Sequence, residues 1–138
     1  MRSARPRSES LRVSDYSEPV LAHFRDPVGA GRLPPGDTGV ASAEARDPDG
    51  GQRVRMHVRL SAERRLEDVR FQAFGCPVTI AVASAAVERT VGRTSDEALA
   101  LEPAALARTL ALTPEQARLA ELPVRALREA LAYLAARK

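Results

Sequence analysis

Between Gln52 and Leu60 the chain reads QRVRMHVRL, and its apolar positions recur at every second residue. Val54, Met56, Val58 and Leu60 fall on one face, and Arg53, Arg55, His57 and Arg59 on the other. That alternation predicts a half-buried strand of an antiparallel sheet, with the arginine face toward solvent. GVASAEAR precedes it across the turn DPDGG, which predicts a hairpin. LEDVRFQAF (residues 66–74) supplies a third strand with Val69, Phe71 and Ala73 facing inward.

After residue 76 the spacing changes from two to three and four. Pro77 suits the first position of a helix and Gly92 its stop. TSDE (residues 94–97) and TPEQ (residues 113–116) are capping boxes. Pro103 opens a further helix. Pro123 starts or kinks the last one, whose stripe is Leu127, Leu131 and Leu134. Near the beginning, YSEPVLAHF predicts a short helix with Ser17 as N-cap and Tyr16, Val20, Leu21 and Phe24 on one face. The Pro- and Gly-rich stretch 25–39 is a loop. Strands followed by helices give an α+β sandwich, a three-stranded antiparallel sheet packed against helices.

Composition changes this picture little. A chain of 138 residues can bury one core without disulfides or metal. The predicted organisation is a flexible basic arm over residues 1–15 and a single domain over residues 16–138. The arm carries +2 of the net +3 charge, and aromatic residues make up 4%. Neither a basic surface nor a stacking platform for nucleic acid is therefore expected. No leader-like or membrane-spanning run is present in the sequence, so the expectation is a cytoplasmic protein without a membrane partner.

One residue carries distinctive chemistry. Cys76 is the single cysteine, placed after Gly75 and before Pro77 at a predicted helix start. A helix N-terminus favours an anion, which suits a reactive thiol. A small polarisable residue packed beside an alanine-rich helix accounts for it equally simply. Both readings stay open here. No hydrolase triad has interpretable spacing.

Three stretches resemble the NifU N-terminal/IscU-like family of iron–sulfur cluster assembly scaffolds. YSEPVLAHFRDPVGAG (residues 16–31) is similar to the family's opening, a Tyr-Ser helix followed by an Asn/Asp-Pro turn and glycines. EDVRFQAFGCPVTIAVAS is similar to its third strand and Gly-Cys helix start, and VGRTSDEAL to the segment that follows. The resemblance implies a scaffold rather than an enzyme. It also implies protein partners of iron–sulfur biogenesis, a cysteine desulfurase among them, and a monomer or weak homodimer. In the family, zinc or a [2Fe–2S] cluster is held by three cysteines helped by an aspartate or histidine.

Here the ligand pattern departs from the family. Counting back without gaps from EDVRF places the first ligand cysteine at Gly50 and the aspartate at Gln52. Counting back from the final helix places the His-Cys pair at Arg118 and Leu119; a shifted register gives Leu127 and Arg128. Only Cys76 matches a ligand. The family's chaperone-recognition motif is reduced to LTPEQ (residues 112–116). A cluster needs soft thiolate donors, so no cofactor is expected on the monomer. Neither His23, at a non-ligand position of the family, nor His57 is expected to bind metal. The implied role is a degenerate scaffold working through partner binding. Two alternatives remain: a persulfide carrier through Cys76, or a scaffold that borrows ligands from a partner or second subunit.

Overall fold

The computed structural model describes residues 15–137; the arm predicted over residues 1–15 lies, apart from Asp15, outside them. Helix α1 (Glu18–Arg25) leads into the strands β1 (Val40–Arg46), β2 (Arg53–Leu60) and β3 (Leu66–Phe74). Five helices follow: α2 (Pro77–Thr90), α3 (Ser95–Leu99), α4 (Pro103–Thr109), α5 (Pro114–Ala117) and α6 (Glu121–Ala136), with a 3₁₀ turn over Arg118–Ala120 before the last. The strands form one antiparallel sheet in the order β1-β2-β3, as the alternation predicted.

Strand register sorts the two faces. Ala43, Met56 and Phe71 stand side by side across the sheet, as do Ala41, Val58 and Val69. These residues are buried beneath α6, which packs across β1 and β2, and α2, which packs on β3. Alanines along β1 and in α2 let the layers approach closely, while Leu122, Leu127 and Leu131 fill the space between. The opposite face carries the rows Ser42–His57–Arg70 and Glu44–Arg55–Gln72.

Local chemistry sets the helix ends. Ser17 Oγ accepts the Val20 amide and donates to the Leu110 carbonyl at 2.5 Å, tying the start of α1 to the end of α4. Thr94 with Glu97 and Thr113 with Gln116 form both reciprocal capping boxes. Pro77 and Pro103 occupy first turns, and Gly92 follows α2 with φ +83°. Pro123 lies inside the first turn of α6, two residues after the helix begins. There its missing N–H removes no helical hydrogen bond.

Two expectations are corrected. Phe24, assigned to the buried face of α1, is exposed; Val20 and Leu21 alone bury there. His57 does not face solvent with the arginines: it is 5% exposed. The loop after α1 is the reason. Its Gly29 and Gly31 exchange backbone hydrogen bonds with Phe71 on β3. Arg32 and the buried Leu33 then line a groove over the polar side of the sheet at His57.

Candidate functional site

The β1–β2 turn, the start of α2 and the 3₁₀ turn converge at one end of the sheet. In the first, Asp47 N–H donates to Gln52 O (2.9 Å) and Gly50 N–H to Asp47 O (2.8 Å), closing a tight loop. Gly50 has φ +79°, a conformation that costs glycine nothing. Its position offers no side chain, so it can hold nothing.

Gln52 leaves this turn and reaches the helix start. Its Oε1 accepts the Cys76 backbone N–H at 2.9 Å and also the Thr79 hydroxyl. Cys76 is the N-cap of α2, but its own side chain makes no capping bond. The amide of Gln52 therefore satisfies the donor just before the helix, from 24 residues away. Gly75 is required beside it: φ is +147°, and a Cβ there would collide with the Gln52 amide. The half-buried Cys76 Sγ lies 3.7 Å from Thr79 Oγ1.

Arg118 approaches from the 3₁₀ turn. Its Nη1 donates to both carboxylate oxygens of Asp47, at 2.8 and 2.7 Å. The carboxylate side chain is 11% exposed and the guanidinium 60%. Asp47, through this hydrogen bond and its charge, holds Arg118 above its ordinary pKa, and Asp49 and Cys76 add to the shift. Tyr16 sits close by: burial raises its pKa first, then the nearby Cys76 and Asp15. Leu119, next to Arg118, turns into the core.

The structure thus brings Gln52, Cys76 and Arg118 together, with Gly50 on the same turn. It leaves Leu119 in the core and Leu127 within the α6 packing stripe, while Arg128 donates to the Leu101 carbonyl. The Asp47–Arg118 pair could not be read from sequence spacing, since its members lie 71 residues apart. Their opposite charges at two of the three converging places were the one signal. The donors at this end comprise one thiol, one amide oxygen already accepting two hydrogen bonds, and a carboxylate engaged by a guanidinium. Hard or committed donors of this kind do not suit a cluster. Among the described residues no three His, Cys, Asp or Glu side chains gather as a metal site would require.

The histidines have structural partners. His23 Nδ1 is 2.6 Å from Ser84 Oγ, which also accepts the Val28 N–H at 2.8 Å. On its other side, His23 Nε2 lies 3.4 Å from Glu88 Oε1. Ser84, within the small-residue run of α2, is therefore a fully buried polar link between α1, the loop and α2. His57 Nε2 lies 2.9 Å from Gln72 Oε1.

No helix among the described residues is long and apolar enough to cross a membrane. Residues 15–138 match the family of the NifU-like N terminal domain. The chain is 30% identical over 132 residues to the "iron-sulfur cluster assembly enzyme IscU" of Drosophila melanogaster, covering 96% of this chain and 86% of that one. It is 31% identical over 117 residues to the "iron-sulfur cluster assembly scaffold protein IscU" of Escherichia coli K12, covering 85% and 91%. Among solved structures, a NifU-like N-terminal protein from Brucella abortus superposes with a TM-score of 0.70 at 17% identity, over 90% of this chain and 96% of that one. A SUF-system scaffold protein from Fervidobacterium islandicum gives 0.69 at 18% identity, over 86% and 97%; both speak for the fold. Family match, sequence relatives and fold agree: the chain belongs to the NifU-like N-terminal domain family, with one thiol where the β1–β2 turn, the start of α2 and the 3₁₀ turn converge.

Proposed function

We propose that this protein works in iron–sulfur cluster assembly as a degenerate scaffold, binding other proteins of that process without holding a cluster itself. The role follows from the IscU relatives that align along most of the chain. The reading of the site rests on one observation: the three converging segments are joined by Gln52–Cys76–Thr79 and Asp47–Arg118, interactions that need no metal. The partner that fits best is a cysteine desulfurase, and the role is not enzymatic.

Anaerobic incubation of the purified chain with ferrous iron and sulfide, followed by metal analysis and visible absorption, tests the site. Iron well below one equivalent per chain is expected. A stoichiometric cluster on the monomer overturns the reading. Titration with a cysteine desulfurase tests the partner; saturable binding that survives Cys76→Ala is expected for a protein acting through its surface.

A second reading is favoured by the half-buried position of Cys76 and by Arg118 beside it. In it Cys76 accepts sulfur. The Cys76 thiolate attacks the outer sulfur of a desulfurase persulfide, the S–S bond there breaks, and the desulfurase thiolate leaves. A new S–S bond forms on Cys76, with no net redox change. Mass spectrometry after exposure to a loaded desulfurase decides it: one added sulfur on the wild type and none on Cys76→Ala supports transfer, and an unmodified wild type removes it.

A further inference from the structure

The polar face of the sheet has no part in the site around Cys76, yet it holds a groove of about 410 Å³. One wall is the strand surface, with Ser42, Arg55, His57 and Gln72. The other comes from the loop after α1, which brings Arg32, and from the end of α6, which brings Arg137. No carboxylate lines it. Of the acids that border it, Asp37 pairs with Arg59 at 2.8 Å, and Glu44 with Arg46 at 2.6 Å and, more loosely, with the groove's own Arg55 at 3.7 Å. Arg32 and Arg137 have no carboxylate partner among the described residues. Arg137 bonds only the carbonyls of Thr38 and Val40, and Arg55 spends one N–H on Ser42.

Three guanidinium groups therefore converge on a concave site of small-molecule size. The positive field of two of them is felt by His57, whose pKa is lowered first by burial and then by Arg55 and Arg32. A flat cationic face would suit an acidic protein. A half-enclosed groove with forked donors, a hydroxyl and an amide suits oxyanions that accept paired hydrogen bonds. We propose that this groove binds a small molecule carrying phosphate groups. The proposal is independent of the role assigned to the Cys76 end.

The test uses the full chain at physiological ionic strength, where diffuse attraction is screened. Pyrophosphate is titrated by calorimetry, with inorganic phosphate and citrate as separate arms and a polyglutamate peptide as a fourth. Saturable one-to-one binding of pyrophosphate is expected, tighter than that of citrate. Arg32→Gln and Arg137→Gln should each weaken it about tenfold, the loss of one charge-assisted contact. Arg125→Gln makes the same charge change on an exposed turn of α6 outside the groove and should leave binding unchanged. Thermal melts verify that each variant is folded, and two groove variants guard against failure of one. The proposal is overturned if pyrophosphate does not saturate, if Arg125→Gln weakens it as much as Arg32→Gln, or if only polyglutamate binds.

Discussion

Ser84 is a small residue in a run of alanines, and its hydroxyl joins three segments. Removing it orphans the Val28 N–H and one ring nitrogen of His23. Loss of a buried hydrogen-bonding group of this kind costs about 1–3 kcal/mol. Ser84→Ala should lower the urea midpoint accordingly without changing the slope. His57 makes a second prediction. Unfolded, it takes up its proton near pH 6.5; folded, burial first and then Arg55 and Arg32 lower that value, against the hydrogen bond His57 donates to Gln72 Oε1, which raises it. The other groups facing it across the sheet are Ser42 and Arg70, so no carboxylate opposes the shift. Between the two values the unfolded chain binds more protons, so stability rises with pH and is lost as pH falls below about 6.5. Urea titrations across that range should show this slope, and His57→Gln should flatten it.

At the scale of elements, the decisive piece is the loop that closes onto β3. Gly29 has φ +83°, and a Cβ there would lie 2.7 Å from Val87 Cγ1 and 2.9 Å from the Val69 carbonyl oxygen. Gly29→Ala is expected to destabilise by about 2 kcal/mol or more, from left-handed strain together with overpacking. Gly36→Ala, at φ +106° in open space, carries the strain without the collision and should cost less; chemical denaturation of the two variants compares them. Strands and helix starts were legible in the sequence because each depends on near neighbours: period-two alternation for β2, Thr94 with Glu97 for α3, Pro77 for α2. The fate of His57 was not. Alternation put it correctly on the arginine face, but the loop that covers that face is held by long-range backbone bonds of Gly29 and Gly31 to Phe71, and no local pattern encodes them. Phe24 failed for the opposite reason. The periodicity of α1 made it a face residue, while the helix is too short to bury its last turn.

For the whole molecule, the α+β architecture followed from the order of patterns along the chain, and the site at one end of the sheet was legible only in part. Cys76 stood out as the single cysteine, and the three converging segments followed from the resemblance to the family. The Asp47–Arg118 pair joins residues whose proximity is created only by folding. It links the hairpin to the segment before α6, so its members should act as a unit. In a double-mutant cycle, Asp47→Asn and Arg118→Gln should be non-additive, with the greater loss for Arg118→Gln, which leaves the largely covered carboxylate alone. Additive effects in urea denaturation would show that the pair does not hold the two segments together.

That pair, with the Gln52 amide, also sets what a single substitution at this end of the sheet costs. Replacing Arg118 alone leaves the Asp47 carboxylate without its guanidinium. Replacing Gln52 alone takes the shared acceptor from the Cys76 amide and from Thr79. Either change taken singly is a loss with no compensating bond, so the arrangement locks these two positions against one-at-a-time replacement.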